Sequence, residues 1–280
     1  MNSKSSLKDK TQMSFADVVR CLEEQDGYAV PFILPKEDLK KIRELLSEHL
    51  RERLKKTHSE KENIFRDIEI HKYHQISDSL NHQELMKMTN RELSNEAVKT
   101  IQKMSFFKAI MEWFQNATIE DPLGYRVNFR IIRPGKEADT FPAHADAWYF
   151  SNYEKLAGST LAYEEDGGAR LVWIKDENNP LNFKVVHVWI PIYCEPGLNG
   201  IKVAPGSQLR QWKKKKVASS RYVTTFPKYE LDESEKLELK LLKTEPGEVL
   251  LFHDKLVHQG AINRGNESRI ALLFNIHIMK

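Results

Sequence analysis

Any fold open to this chain must bring residues more than a hundred positions apart to a single point, because its most distinctive chemistry is split between two segments. His144-Ala145-Asp146 stands near the middle, and His258 follows 112 positions after Asp146, at the end of Leu251-Phe252-His253-Asp254-Lys255-Leu256-Val257-His258. Arg269 comes eleven residues later. Two imidazoles and one carboxylate can take one face of an octahedral Fe(II), leaving three positions for a bidentate organic acid and dioxygen. The arginine can then hold the far carboxylate of that acid. A lone H-x-D is common by chance, and a lone strand arginine is commonly a surface ion-pair partner, so the ordered set of four carries the inference.

The spacing within the set has a physical basis. Residues i and i+2 of an extended strand point to the same side, so His144 and Asp146 reach one metal if their segment is β. Pro142 favours an extended approach to them. His258 closes a Val/Leu/Phe-rich run that begins at Val249, and Arg269 opens another from Ile270 to Ile278. Between them, Gly260 to Ser268 is rich in turn formers. Two strands joined by that loop put His258 and Arg269 side by side at one end of a barrel. His253 competes with His258 for the metal, since five residues apart on a continuous strand they point to opposite faces. His187 and His277 lie in strand-like runs and read as barrel histidines satisfied by their surroundings.

The rest of the chain reads as helices first and strands second. Leu39, Ile42, Leu45, Leu46, Leu50 and Leu54 recur at three- and four-residue steps, an amphipathic helix over 35–54 with Pro35 suited to its first turn. A second helix is expected over 94–116. After Pro122-Leu123-Gly124, Val127, Phe129 and Ile131 alternate with Arg126, Asn128 and Arg130, a strand with one apolar face. Short β-rich runs separated by Pro, Gly and Asn clusters follow. The expected class is α+β, mainly β: a double-stranded β-helix or jelly roll with flanking N-terminal helices. A chain of 280 residues with 40% hydrophobic residues can fill such a core. With neither repeat nor linker visible, residues 1–280 are expected to be one domain, 1–120 mainly helical flank and 121–280 the jelly-roll core.

Four stretches resemble the phytanoyl-CoA dioxygenase family, to which ectoine hydroxylase is related. They are Asp26 to Leu39; His144-Ala145-Asp146-Ala147-Trp148-Tyr149; Val188-Trp189-Ile190-Pro191-Ile192 with Asn199 to Ser207; and Gly247 to Arg269. The resemblance implies an Fe(II)- and 2-oxoglutarate-dependent dioxygenase, with His144, Asp146 and His258 on the metal and Arg269 on 2-oxoglutarate. The eleven-residue step from His258 to Arg269 resembles the family's spacing and favours His258 over His253. Trp189 falls where the family has a tryptophan near 2-oxoglutarate, with ordinary barrel packing as its alternative. Asp146 stands where related halogenases carry a small residue, so the resemblance implies hydroxylation, with succinate and carbon dioxide released, and leaves desaturation and ring closure open. Departures are Cys194-Glu195, where the family often has an acidic residue shortly after the Trp-Ile segment, and Gln208, where it usually has His. Residues 150–184 are distinctive, so the substrate pocket does not carry over.

Three further features bear on partners. Trp148 follows Asp146 by two residues and, on a strand, shares its face toward a substrate, although aromatic sets in β-proteins are more often core. Residues 209–222 hold Arg210, Lys213, Lys214, Lys215, Lys216 and Arg221 without an acidic residue, +6 against +3 for the whole chain. The plain expectation is an exposed, solvated loop. An anionic small molecule or carrier group is one alternative, and nucleic acid stacked on Trp212 and Tyr222 another, so a nucleic-acid-modifying oxygenase stays open beside a catalytically silent binding protein on the same barrel. Cys21 and Cys194 are far apart without ligand spacing, the first residues lack an apolar stretch, and no run approaches membrane-spanning length. A cytoplasmic enzyme acting on a small molecule, with no membrane partner, is the expectation.

Overall fold

A computed structural model describes residues 13–57, 68–114, 117–119, 126–148, 162–163, 169–170, 183–217 and 228–279. Helix α1 (Phe15–Glu24) is capped by Ser14, whose side chain accepts from the Asp17 amide, and it buries Val18 and Leu22. Strand β1 (Tyr28–Ile33) leads into α2 (Lys36–Thr57). The stripe of α2 is as expected: Ile42, Leu46, Leu50 and Leu54 are buried. Each such side chain contributes about 1.5–3 kcal/mol of transfer free energy before its ordering cost.

The second expected helix is two, Asn95–Gln102 and Ser105–Trp113, because Met104 turns into extended backbone (φ −70°, ψ 150°) and buries its side chain between them. The later strands are β2 (Ala117–Thr118), β3 (Val127–Ile132), the short pair β4 (Ala162–Tyr163) and β5 (Ala169–Arg170), β6 (Phe183–Tyr193), β7 (Ile201–Val203), β8 (Lys214–Val217), β9 (Lys228–Leu231), β10 (Lys240–Leu241), β11 (Glu248–His253), β12 (His258–Gly260) and β13 (Arg269–Met279). The large sheet runs β1-β11-β6-β13-β2, with β3 also on β13, and the small one runs β10-β7-β12. They face each other as the halves of a jelly roll.

Alternation along the central strands explains why the sheet divides two cores. Val188, Ile190 and Ile192 of β6, Ile270, Leu272 and Phe274 of β13, and Val249 and Leu251 of β11 pack outward with α1 and α2. Trp189, Ala271, Leu250 and Phe252 point inward, where they meet Ile201, Val203 and Leu256 of the small sheet's side. The site lies in this inner space. No described helix is long and apolar enough to cross a membrane.

The run ending in His258 is broken. Strand β11 stops at His253, Asp254 and Lys255 turn, and β12 starts in the other sheet. The two histidines therefore separate by sheet, not by alternation along one strand.

The basic cluster is exposed as expected, with Arg210, Lys213, Lys214 and Lys216 open to solvent, but part of it is strand and not loop. Lys214 to Lys216 lie in β8, which pairs antiparallel with β9. Lys215 forms ion pairs with Glu230 and Glu233, Arg210 pairs with Glu235 and stacks its guanidinium 3.3 Å from the Trp212 ring centre. Two of the run's cations, Arg210 and Lys215, are thus paired with acidic residues that follow them in sequence, a compensation visible only in the fold. Arg221 and Tyr222 lie outside the described residues, as do Tyr149 and most of 150–184.

Candidate metal centre

Backbone pairing brings the two halves of the motif together. The His144 amide donates to the His258 carbonyl at 3.0 Å, and the His258 amide donates to the His144 carbonyl at 2.8 Å. Ser207, from the Pro205-Gly206-Ser207 turn, accepts the Val257 amide at 2.8 Å and so holds the residue before the distal histidine. Leu231 of β9 donates its amide to the Ala143 carbonyl at 2.9 Å, so the hairpin that carries the basic run buttresses the proximal ligand segment.

His144, Asp146 and His258 each offer a ligand atom, and these atoms lie within 4.8 Å of one another. Nε2 of His144 is 3.6 Å from Asp146 Oδ1, and Nε2 of His258 is 3.6 Å from Asp146 Oδ2. Both imidazoles are oriented from behind. His144 Nδ1–H donates to the Pro142 carbonyl at 2.7 Å and His258 Nδ1–H to the Leu256 carbonyl at 3.0 Å. A carbonyl can only accept, so these bonds select the tautomer whose Nε2 lone pair points at the shared centre.

The electrostatics suit a cation. Burial lowers the His258 imidazole to about 4 against the pull of Asp146, so it is neutral and able to ligate at neutral pH. Burial opposes ionisation of Asp146, but His187, His258 and His144 outweigh it and hold the carboxyl well below the usual range. Two imidazole nitrogens and one carboxylate oxygen match a divalent 2-His-1-carboxylate centre.

The surroundings of Asp146 differ from the expectation in two respects. Asp146 sits in a turn after the His144 bridge, and the Trp148 amide donates to the Ala145 carbonyl at 3.0 Å. The same-face argument therefore fails for Trp148, which packs with Ala145, Ala204 and Val257. His187, read as a satisfied barrel histidine, instead has Nδ1 3.2 Å from Asp146 Oδ2. Its signal was its place two residues before Trp189, which puts both on the inner face of β6. His253 is held by Asp254 at 2.7 Å and Glu23 of α1 at 3.7 Å, apart from the cluster.

Arg269 is only 2% exposed, its guanidinium carbon 5.8 Å from the Trp189 ring centre. Burial, with Arg130 nearby, lowers it to about 9, leaving it charged at neutral pH. Arg130 pairs with Ala271 in the ladder that pairs Ile132 with Arg269, so both guanidinium groups are on the inner face. Gly260 of β12 faces the same group; a Cβ there would lie 3.5 Å from Arg269 Nη2.

The loop leading into Arg269 is tied by fully buried Asn263. Its Nδ2 donates to the carbonyls of Ile132 (3.0 Å) and Glu267 (2.6 Å), and its Oδ1 accepts from Asn199 Nδ2 (2.9 Å) and the Gly265 amide (3.0 Å). Glu195, one of the departures noted above, caps the same loop by accepting the Asn266 amide at 2.8 Å, and only a glycine at 265 leaves room for it, since a Cβ would come within 1.9 Å. Asn263→Ala strands four partners, two of them in buried bonds, and is expected to cost about 2–4 kcal/mol, lowering the melting temperature by roughly 5–15 °C. Thermal unfolding followed by circular dichroism checks this; an unchanged midpoint contradicts the network's role. Gln208, the other departure, donates to the Gln25 carbonyl at 2.9 Å and is thus part of the packing around Gly27.

A family model for phytanoyl-CoA dioxygenase matches residues 24–271. A search of curated proteins found no match. Among solved structures, the chain is similar to the apo form of a non-heme monooxygenase, ThoJ, at 12% identity and TM-score 0.51, over 95% of this chain and 77% of that one. It is similar to SnoK, a non-heme alpha-ketoglutarate-dependent carbocyclase from nogalamycin biosynthesis, at 13% identity and TM-score 0.51, over 95% and 84%. The epimerase SnoN, in complex with Fe3+, alpha-ketoglutarate and nogalamycin RO, matches at 11% identity and TM-score 0.50, over 94% and 82%. At such identities the likeness is one of fold.

Proposed function

The chain belongs to the phytanoyl-CoA dioxygenase family, and on that premise we propose that it is an Fe(II)- and 2-oxoglutarate-dependent dioxygenase, one domain over 1–280, that hydroxylates an unactivated C–H bond of a small molecule with release of succinate and carbon dioxide. The observation that carries this reading is the convergence of His144, Asp146 and His258, with both Nε2 atoms aimed inward, in the barrel whose inner face carries Arg269. Bound iron and 2-oxoglutarate supply the activation of dioxygen and the oxidising power.

The chain's own residues do the positioning. His144, Asp146 and His258 hold one face of the metal. Arg269 offers a two-pronged donor to the distal carboxylate of 2-oxoglutarate, beside the ring of Trp189. The apolar wall of Trp189, Leu250 and Phe252 keeps the inner space dry. Arg130 gives the site a second cation, which supports an anionic substrate. Asp146 stands where related halogenases carry a small residue, which supports hydroxylation; the carbocyclase and epimerase among the similar structures make ring closure and epimerisation the competing outcomes. Because Glu230, Glu233 and Glu235 answer the basic run, a small molecule is favoured over nucleic acid. The free thiols of Cys21 and Cys194 accord with a reducing cytoplasm.

The test is succinate formation from 2-oxoglutarate under oxygen. Slow turnover without substrate is expected to need both added Fe(II) and oxygen, and to accelerate with one or more members of a panel of small organic acids. Oxygen-18 from dioxygen in the product marks hydroxylation, whereas an unlabelled, cyclised or inverted product assigns one of the other outcomes. If the protein neither binds 2-oxoglutarate in the presence of Fe(II) nor forms succinate, the proposal fails.

A further inference from the structure

We propose that His187 is a positioning residue for the metal carboxylate, holding Asp146 by a hydrogen bond from its Nδ1–H so that one carboxylate oxygen is turned toward β6 and the other is left for the metal. The inference rests on the reading of His144, Asp146 and His258 as metal ligands and adds a fourth residue to that centre. His187 Nδ1 lies 3.2 Å from Asp146 Oδ2, within reach of a charge-assisted bond.

The two proximal ligands are held differently. His144 is fixed by its backbone bridge to His258 and by the Pro142 carbonyl behind its ring. Asp146 stands two residues on, in a turn where Ala147 donates to the Asp254 carbonyl and Trp148 to the Ala145 carbonyl. Those bonds place its backbone and leave the carboxylate to be oriented by side chains. His187 is suited to that task because it is buried and held from both sides. It sits near the middle of β6, paired with Phe252 on one side and Asn275 on the other, and is 5% exposed. Its ring stacks on Phe252 with centroids 5.0 Å apart and planes at 20°. Phe252 in turn lies 4.9 Å from the ring of His258. One aromatic column thus connects the distal ligand with the residue that holds the carboxylate, while His144 is set by its bridge to His258.

Groups that orient metal ligands commonly change affinity by 10- to 100-fold when removed. The experiment is titration of metal-free protein with Co(II), read from its d–d absorption bands and by calorimetry, in wild type, His187→Phe, His187→Gln and His187→Asn. Phe keeps the stacked ring but loses the donor. Gln carries its amide to about the Nε2 position, and Asn places a donor close to the position of Nδ1. The expected result is that Phe and Gln weaken Co(II) binding by about 10- to 100-fold and alter the d–d bands, while Asn restores both to near wild type. Should the Phe variant fail to fold, the contrast between Gln and Asn decides the matter. Wild-type affinity and spectrum in Phe or Gln overturn the proposal. Weakened binding in all three variants also overturns it, because packing and not the hydrogen bond would then be responsible. Absence of Co(II) binding by the wild type would instead remove the metal-site reading itself, and this inference with it.

Discussion

Alanine at His144, Asp146 or His258 is expected to lower 2-oxoglutarate turnover by more than about 10³-fold, corresponding to the loss of several kcal/mol of metal-derived stabilisation, and to leave the protein without stoichiometric iron. The fold should persist in each variant. The bridge that joins the two segments is made by backbone amides and carbonyls of His144 and His258, which alanine retains, and Asp146 is partly open to solvent, with its side chain 24% exposed. Removing Asp146 also leaves three imidazoles facing one another without their shared anion, so its variant should show the greatest loss of iron. His253→Ala is the control. That side chain is engaged by Glu23 and Asp254, and its loss should leave turnover near that of wild type. Iron content and succinate formation measured together decide the assignment: activity retained in His258→Ala and lost in His253→Ala would overturn it.

Arg269→Lys should raise the concentration of 2-oxoglutarate needed for half-maximal turnover by about 10- to 100-fold, since a hydrogen bond between charged groups contributes about 1.5–3 kcal/mol. Iron binding should be unchanged. Lysine keeps a cation but replaces a planar fork with a single donor point, and burial as deep as that of Arg269 also favours the neutral amine. Arg269 Nε has no hydrogen-bond partner among the described residues, as expected of a donor oriented for something other than protein. Quenching of tryptophan fluorescence by 2-oxoglutarate, with Trp189 close to the guanidinium, gives the affinity directly. Unchanged 2-oxoglutarate dependence would take Arg269 out of the cofactor site.

Much of this protein can be read before it folds. The stripe from Ile42 to Leu54 determined α2 because helical periodicity is a local property. The alternation of Val127, Phe129 and Ile131 determined β3 for the same reason. The candidate ligand set was legible because few residue types bind iron in a 2-His-1-carboxylate pattern, and the structure brings His144, Asp146 and His258 together. The sequence thereby determined the fold class, the three metal-directed side chains clustered in the barrel, and the family.

What lay beyond it was decided by contacts between distant segments. Strand continuity from Val249 to His258 is locally plausible, but β11 must leave the large sheet for β12 to complete the small one, and only that change of sheet separates His253 from His258. The Lys213–Lys216 run has no acidic neighbour in its own segment, so the pairing of Lys215 with Glu230 and Glu233 depends on how the chain folds back at the hairpin. Trp148 does not follow Asp146 along a strand because the chain turns there, and His187 comes within reach of Asp146 from β6. Local pattern determined which elements form and which residues carry the chemistry. Only tertiary structure decided which side chains surround them, because a partner's orientation is set by packing across the sheets and leaves no periodic trace in the chain.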